Sequence, residues 1–355
     1  MTRVHTRLSR VLLGSEALRR GWHTAATLKD RLPDASRLSV VALFKSLAAH
    51  GDLPSSRALG WVRHHECPGG GIRVHSRHPE PYAEVTGYLV PTLLDYGEVE
   101  LADRLVRWLI GVQAENGSYA DPNRRQPYVF DTAQALRGLL AGVERIPDAA
   151  AAARRAADYL CRMAIDDGRG GFDVRHPDVY PLTMHVYALP PLLNAAERFG
   201  ERRYRAVVER CLQHYLRQPE LLRIDTLTHD LGYELDGLID LGRRDLAAPV
   251  LDELRALQNT DGSLRGAGGA RWTCTPGLAQ VAIGWYKVGQ REPADRALAW
   301  LEKHQLRCGG FFGSYGRGAS YFRDVVPAWA VKFYLDASRW RTLTSSERAV
   351  GVEAR

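Results

Sequence analysis

Six stretches of the chain are apolar or small at most positions and carry few charges. They span residues 82–97, 128–142, 181–200, 226–242, 273–289 and 320–337. A surface helix keeps a polar face, whereas a helix that is apolar nearly all round lies in the protein interior. Five of the six stretches end in glycine, which helix C-termini prefer. The pattern therefore predicts six buried helices, each with polar groups near its N-terminal end.

A second kind of segment, amphipathic and in most copies followed by a glycine turn, alternates with these stretches. Its copies lie at 58–70, 102–117, 156–171, 204–222, 251–262 and 294–310, and their aromatic or leucine anchors recur every 39 to 56 residues. Self-similarity of this period indicates a repeat architecture. Because the inner helices are apolar on most sides, closure into a ring is favoured over an open solenoid. We predict an all-α fold, an (α/α)6 toroid of six helical hairpins.

The hairpins also set the predicted domain boundaries. Residues 54–340 form the toroid, residues 1–53 form a helical extension packed on it, and residues 341–355 form a polar C-terminal tail. Within the extension, helical stretches are expected at 9–20 and 38–49, and neither carries a motif.

Composition and charge narrow the class of protein. The chain is 45% hydrophobic and 25% charged, as ordinary globular proteins are. Its formal net charge of +7 comes from dispersed arginines, so we expect no nucleic-acid partner. No apolar run reaches the ~18 residues that cross a bilayer, and the apolar core of the basic N-terminus is too short for a signal peptide. We expect a cytoplasmic protein without stable membrane insertion and leave the oligomeric state open.

The five cysteines are scattered, odd in number and without a Cys-x-x-Cys pair. Neither a disulfide framework nor a structural zinc site is expected from this spacing. We predict that the protein uses no metal and no cofactor.

The repeats resemble those of the toroid superfamily of terpenoid cyclases and protein prenyltransferase β-subunits. The resembling residues are the Phe-Asp-Thr-Ala segment at 130–133 and two repeat units, Trp108, Leu109, Gln113 and Gly117, and Trp300, Leu301, Gln305 and Gly310. More narrowly, the chain resembles prenyltransferase/squalene-cyclase-repeat proteins that accompany bacterial sugar-polymer and specialised-metabolite genes. The resemblance covers residues ~55 to 337 and implies the toroid fold and a biosynthetic role, but such repeats do not specify a reaction.

The chemistry of that superfamily is not matched by the residues of this chain. Squalene-type cyclases protonate an alkene with an Asp-x-Asp-Asp motif, which is missing here. Protein prenyltransferases bind zinc through an Asp and a Cys two residues apart and a later His. Here Trp272 stands two positions before Cys274, and no His follows in 320–337. We therefore expect neither zinc nor carbocation chemistry.

Polar and aromatic residues cluster at the predicted N-terminal ends of the inner helices and in the loops before them. In a closed ring these ends share one mouth, where free backbone N–H groups favour anions. The predicted catalytic residues are His229, His185, Asp131, Tyr233, Glu84 and Tyr187. The predicted substrate-binding residues are Tyr88, Tyr128, Asp230, Arg271, Trp272, Tyr315, Arg317, Tyr321 and Asp324. Further candidates are His75, His78, Tyr82, Gln134, His176, Tyr180, Asp225, Glu234, Cys274 and Arg323.

Histidine, tyrosine and carboxyl groups together can move protons to and from carbon, as epimerases and lyases require. We therefore predict an enzyme of bacterial carbohydrate or specialised-metabolite biosynthesis. It would isomerise, epimerise or eliminate a small, polar, sugar-like substrate without a metal. The histidines and tyrosines would exchange protons, Asp131 and Glu84 would orient them, and Arg271 or Arg317 would hold an anionic group.

Other interpretations stay open at this point. The protein could be a terpenoid cyclase with Asp131 as its acid, or a non-catalytic toroid that binds a glycan or a protein. Paired carboxylates could also hydrolyse a glycoside, depending on their separation. In structural terms, Asp131 could cap its helix, His185 could be a core residue, Glu84 could bond Tyr88 one turn away, and Cys274 could be a small buried side chain.

Overall fold

The computed structural model describes residues 53–121, 126–165, 170–173 and 182–353, with side chains up to residue 345. The helical stretches predicted at 9–20 and 38–49 and the candidates His176 and Tyr180 lie outside these described residues. By its internal contacts the chain divides into two units, Met1–Arg57 and Ala58–Arg355. The first unit is described only from residue 53 onward, and the ring of hairpins belongs to the second.

The described chain is built almost entirely from helices. In chain order they are α1 (Pro54–His64), α2 (Ala83–Asp95), α3 (Val99–Val112), α4 (Val129–Gly142), α5 (Ala149–Met163), a 3-10 helix (Leu182–Ala188), α6 (Leu189–Phe199), α7 (Arg202–Tyr215), α8 (Thr228–Asp240), α9 (Arg244–Leu257), α10 (Thr275–Lys287), α11 (Arg291–His304) and α12 (Ala328–Glu353). Odd-numbered helices match the amphipathic segments, and even-numbered helices match the apolar ones.

The even-numbered helices form a closed inner ring. Helix α2 packs on α4, α4 on α6 and the 3-10 helix, the 3-10 helix on α8, α8 on α10, α10 on α12, and α12 returns to α2. The (α/α)6 toroid predicted from the sequence is therefore confirmed. Because every hairpin runs through its outer helix first, the inner helices are parallel and their N-terminal ends lie at one end of the ring.

Burial separates the two rings as the hydrophobic pattern requires. Inner helix α8 is buried at every position from Thr228 to Ile239. Outer helix α9 buries only Ala247, Leu251 and Leu254, a stripe at the spacing of one helix face. The inner ring is thus the core of the protein, and the outer ring shields it with one face of each helix.

Glycine brings α2 and α4 into backbone contact. A Cβ added at Gly87 would lie 2.3 Å from the Gln134 carbonyl oxygen, and one added at Gly138 would lie 2.6 Å from the Gly87 carbonyl oxygen. Neither position has room for a side chain. The first two inner helices, α2 and α4, are consequently held close together.

The glutamine of the repeat ties neighbouring outer helices to each other. Gln113 donates to the carbonyl oxygens of Gly117 (3.1 Å) and Ala152 (2.9 Å) and accepts from Arg155. Gln258 bonds its own turn and the next outer helix in the same way, at 3.0 Å to both Gly262 and Pro293. The glutamine of the motif that identified the repeats therefore has a structural role, linking neighbouring outer helices.

Three features differ from the helical pattern. The third inner segment begins as a 3-10 helix rather than an α-helix. Two short strands, β1 (Trp272–Cys274) and β2 (Ser314–Gly316), pair antiparallel although no strand pattern was found in the sequence. Helix α12 continues to Glu353, through most of the segment predicted as a polar tail. In the part of the chain that the structure describes, no helix combines the length and hydropathy that crossing a membrane requires.

Candidate functional site

The N-terminal ends of α2 and α4 place two carboxyl groups around one tyrosine hydroxyl. Tyr82 Oη donates to Asp131, with distances of 2.9 and 3.0 Å to its two carboxylate oxygens. Asp131 is fully buried, whereas Glu84 and Tyr82 are only partly buried. The group thus has one carboxyl shielded from solvent and two side chains that solvent can reach. Tyr82, Glu84 and Asp131, together with His229 and Tyr233, form a group that we call the head cluster.

Both carboxyls of this cluster hold their protons more tightly than usual. Burial is the main cause: it raises the pKa of Glu84 to about 8, although a hydrogen bond with Tyr82 opposes the shift. Burial and the neighbouring Glu84 carboxyl raise the pKa of Asp131 well above its ordinary value. Two adjacent carboxyls in a poorly hydrated place resist losing both protons. At neutral pH the pair therefore retains a proton that it can donate.

His229 supplies a neutral ring on the other side of the cluster. It is 5% exposed, and its Nδ1 lies 2.5 Å from the side-chain amide of Gln280 on α10. With the amide nitrogen turned toward the ring, Gln280 also donates to the Pro276 and His229 carbonyls, so Nδ1 is the acceptor and the proton lies on Nε2. Burial lowers the pKa of His229 to about 4. The imidazole is uncharged at neutral pH.

Aromatic rings join the two sides of the cluster. The Tyr233 ring centroid lies 4.5 Å from His229, 5.0 Å from Phe130, 4.9 Å from Tyr187 and 5.7 Å from Phe333. Phe130 directly precedes Asp131 in the sequence. Because Tyr233 contacts both His229 and Phe130, it lies between the histidine and the carboxyl pair. These centroid distances are typical of aromatic pairs that stabilise each other. The catalytic candidates Asp131, Glu84, His229, Tyr233 and Tyr187 are therefore neighbours.

Two more aromatic side chains, Trp329 and Tyr321, cover the outer side of His229. Trp329 is parallel to the imidazole at 6.4 Å between centroids and donates to Tyr321 Oη at 2.9 Å. Tyr321 is partly exposed and lies 5.8 Å from His229. This predicted substrate-binding residue thus lies where a ligand would enter the head cluster.

His185 lies in the 3-10 helix, close to the same cluster. Its Nδ1 bonds the Leu182 carbonyl at 2.9 Å, while its Nε2 is buried and has no hydrogen-bond partner among the described residues. Burial lowers the pKa of His185 to about 4. Tyr128 and Phe130 each present a ring to it in a T-shaped arrangement. The neutral imidazole therefore has one acceptor nitrogen left for a proton.

Asp230 and Glu234 form a second buried acid pair one turn apart on α8. Burial first, and then the Glu234 charge, raise the pKa of Asp230 to about 7. Glu234 accepts from Thr183 Oγ1 at 2.5 Å and from the Leu222 N–H at 2.6 Å. Burial also raises the pKa of Glu234, although these two hydrogen bonds oppose the shift. Because Glu234 is bound to the neighbouring hairpin and to the Leu222 backbone, it positions that loop.

The remaining candidates lie elsewhere. Arg271, Trp272 and Tyr315 line a separate pocket of about 420 Å³ together with Trp300 and His304 of the outer helix α11. Arg317 is exposed. Asp324 is exposed and pairs with Arg323 at 3.1 Å. These residues precede inner helices in sequence, but the aromatic rings that contact His229 are those of Tyr233, Tyr321, Trp329 and Phe333.

The structure also decides the structural alternatives. The N-cap residue of α4 is Tyr128 and makes no side-chain capping bond, so Asp131 is used by Tyr82 instead. Within the described residues Tyr88 Oη is buried without a partner and therefore does not bond Glu84. Cys274 is buried, and burial raises the pKa of its thiol to about 12, which fits a small core side chain. No group of three His, Cys, Asp or Glu side chains in the described ranges is arranged to hold a metal ion.

The elevated pKa of Glu84 makes a testable statement about stability. An unfolded chain releases this proton near pH 4.5, whereas the folded protein keeps it to about pH 8. Between these values the folded state binds more protons, so the free energy of unfolding falls as pH rises, by up to about 1.4 kcal/mol per pH unit. We expect Glu84→Gln to remove this slope and to be more stable relative to wild type at pH 8 than at pH 5.

Urea unfolding of both proteins at pH 5, 6.5 and 8 measures the difference. The buried histidines titrate in both proteins and cancel from it. A difference that is independent of pH would mean that Glu84 ionises as an ordinary surface carboxyl.

Neither a protein-family model nor a curated protein sequence matches this chain. Solved structures with the same architecture do match, at low identity. A novel alpha-amylase from Clostridium perfringens is 12% identical with a TM-score of 0.65, over 81% of this chain and 98% of that chain.

Two further solved structures are similar over most of their length. Unsaturated glucuronyl hydrolase from a Bacillus species, responsible for the degradation of glycosaminoglycan, is 18% identical with a TM-score of 0.56, over 72% of this chain and 83% of that chain. Cellobiose 2-epimerase from Bacillus thermoamylovorans is 11% identical with a TM-score of 0.60, over 80% and 99%. At these identities the similarity establishes the toroid fold alone. It does not support the more specific resemblance to terpenoid cyclases.

Proposed function

We propose that this protein is an enzyme that moves protons on a sugar-like substrate at the head cluster, by isomerisation, epimerisation or elimination. The observation that carries the proposal is the pairing of a protonated acid with a neutral base. Glu84 and Asp131 are close to the Tyr82 hydroxyl and keep a proton at neutral pH, while the unbonded Nε2 of His185 is free to accept one. Positioned acids and bases of this kind accelerate proton transfer by about 100- to 10,000-fold.

Each residue has a role in this scheme. Glu84 is the general acid, because it is the partly exposed member of the carboxyl pair and can reach a ligand. His185 is the general base, because its Nδ1–H donates to the Leu182 carbonyl and its Nε2 keeps a free lone pair. Asp131 holds Tyr82 and keeps the shared proton on the pair. His229 is a hydrogen-bond donor: Gln280 occupies its Nδ1, so its Nε2–H is available to a substrate oxygen.

The surroundings support a polar ligand over a hydrocarbon cation. Lys332 Nζ lies 3.9 Å from the Phe333 ring centroid, and the Arg137 guanidinium lies 4.7 Å from that of Tyr187. Two aromatic faces near the cluster are therefore already covered by resident cations, which repel a carbocation. A sugar, by contrast, can stack on Trp329 or Tyr321 and bond its hydroxyls to carboxyl groups. Proteins with this fold include a glucuronyl hydrolase and a cellobiose epimerase, which is compatible with a sugar ligand.

The direct test is turnover of a sugar panel in deuterium oxide. The panel contains cellobiose, glucuronic-acid disaccharides and their unsaturated forms, with products followed by NMR and mass spectrometry. We expect deuterium to enter the product at a carbon while the chain length of the sugar is unchanged, or an unsaturated product. Release of shorter sugars without carbon-bound deuterium would instead identify a glycoside hydrolase that uses the carboxyl pair. No turnover together with glycan binding would identify a binding protein.

One observation favours a second candidate, a terpenoid cyclase with Asp131 as the acid. Asp131 is buried beside Phe130, and the rings of Tyr187, Tyr233 and Phe333 continue the same aromatic lining. Squalene and geranylgeranyl diphosphate, incubated without added metal, test it. Cyclic hydrocarbon products from either compound would replace the sugar proposal.

A further inference from the structure

A pocket of about 200 Å³ opens at the other end of the inner ring. Its walls come from the second halves of inner helices, among them Asp95 of α2, Arg137 of α4, Asp240 of α8 and Lys287 of α10. At 1.5 Å rise per residue, Glu84 and Asp95 are about 16 Å apart along α2. Asp95 and Asp240 are exposed, so the pocket is reached from solvent on the side away from the head cluster. We call it the tail pocket.

The acceptors that line the tail pocket are largely matched by donors. Lys287 Nζ contacts Asp236 at 2.6 Å and also contacts Asp240. Lys332 Nζ lies 2.8 Å from Asp336, which accepts a further bond from Thr92 Oγ1 at 2.6 Å. These three carboxylates are already paired with lysines and do not require a ligand cation.

The unmatched groups of the tail pocket are all donors. Among the described residues, Tyr88 Oη, Arg137 Nη2 and Arg339 Nε are buried without a hydrogen-bond partner, and all three side chains line the pocket. Tyr88 is 0% exposed, so a ligand in the pocket reaches its hydroxyl only when neighbouring side chains move. A buried donor without a partner costs about 1–3 kcal/mol. Three such donors around one pocket describe a site that requires acceptor atoms.

The arginine geometry indicates which acceptor fits. Arg137 is held against the Tyr187 ring and bonds Gln134 Oε1 at 3.3 Å, so its guanidinium plane is fixed while Nη2 is left over. A fixed guanidinium recognises carboxylate and phosphate oxygens with matched geometry. Four cations line the pocket with four carboxylates, and Lys287 and Lys332 are paired with three of these carboxylates. The two arginines are therefore the cations that have a donor left for a ligand.

We propose that the tail pocket is a binding site for a small oxyanion, a carboxylate or phosphate group, held by Arg137, Arg339 and the Tyr88 hydroxyl. Tyr88 lies one helical turn beyond Glu84, so the site adjoins the head cluster, but anion binding there does not depend on the reaction proposed for that cluster. Lys332 lies between the two, because its charge acts on Glu84 and His229 as well as on Asp236.

The test measures anion binding by the whole chain, without any turnover. The thermal unfolding midpoint is followed while sodium phosphate or sodium acetate replaces sodium chloride at constant ionic strength, and calorimetry gives Kd. We expect a saturable rise for wild type, and the anion with the stronger effect identifies the headgroup. Tyr88→Phe keeps the ring and removes one donor to a charged group, so Kd should weaken roughly 10-fold. Arg137→Gln should weaken Kd by more.

The control is Arg107→Gln, an exposed arginine on outer helix α3, which should bind as wild type does. If Arg137→Gln fails to fold, Tyr88→Phe and Arg339→Gln carry the test. Equal responses in wild type and all variants, or a rise that never saturates, would overturn the proposal and leave water as the partner of these donors.

Discussion

Asp131→Asn is expected to lower kcat by about 100- to 10,000-fold on the substrate found in the sugar panel, while the protein folds normally. The asparagine keeps the size of the side chain and can still accept from Tyr82 Oη, so the packing between α2 and α4 is preserved. It cannot hold or share a proton with Glu84, however, and that shared proton is the acid of the proposed reaction. The expected result is thus a large loss of activity with a change in unfolding free energy below about 1 kcal/mol.

The comparison that interprets this result is Tyr82→Phe. It removes the hydroxyl that donates to Asp131 and leaves both carboxyls, so the loss of kcat should be smaller and the pH profile should shift. Asp245→Asn, an exposed aspartate paired with Arg243, is the control for the substitution itself. An Asp131→Asn protein that loses stability along with activity would show that Asp131 is a structural residue, and the proposed acid pair would then be incorrect.

Lys287→Met is expected to destabilise the protein by about 3–5 kcal/mol, the largest stability effect that we anticipate. Lys287 is 10% exposed at its side chain and lies 2.6 Å from Asp236, which is 8% exposed. Burial opposes the charges of both partners. Nevertheless the carboxylates raise the pKa of Lys287, and Lys287 helps to lower that of Asp236. Removing the ammonium leaves Asp236 buried and charged without a partner, and that uncompensated charge accounts for the loss.

A double variant separates the ion pair from simple loss of packing. Lys287→Met with Asp236→Leu removes both charges of this pair, and replacing a buried pair with apolar groups is often neutral. Asp240, the second partner of Lys287, has a side chain that is 29% exposed, so water can solvate it in both variants. We expect the double variant to recover most of the stability lost in the single variant. Urea denaturation at pH 7 measures all three proteins. A loss below about 1 kcal/mol in the single variant would show that water screens the pair as it does at a surface.

Part of the head cluster followed from the sequence. Asp131, Glu84, His229 and Tyr233 are polar residues within apolar helical stretches, and closure of the ring made their approach predictable. Tyr82 was among the candidates, but its pairing with Asp131 was not predicted, and Gln280 was missed, although the repeat contains the signal for both. Tyr82 and Asp131 are 49 residues apart, and His229 and Gln280 are 51 apart. Residues about one repeat apart stand at the same height on neighbouring inner helices, so the repeat length predicts such pairs.

The positions of the loop residues could not be predicted from the repeat in this way. Arg271, Trp272 and Tyr315 were predicted at the mouth because they precede inner helices, yet they line the outer pocket near α11. Helical periodicity predicts which face of a helix is buried. It does not predict the path of a loop, which depends on the groups that the side chains of the loop pack against. Here the strand pair of Trp272–Cys274 with Ser314–Gly316 holds both loops together.

The sequence by itself determined that this chain forms six hairpins closed into a ring. Only helices that are apolar all round need shielding on every side, and alternating amphipathic helices provide it. The tertiary structure alone decided which charges meet. Arg137 and Lys332 are cations in apolar segments, and the carboxylates that they meet depend on their height along the ring axis. Tyr88, predicted to bind the substrate, lines the tail pocket with them, one helical turn beyond Glu84. The height of a residue along the ring axis is set by the axial offset between neighbouring helices. Contacts such as that between Gly87 and Gly138 fix this offset only once the ring has closed.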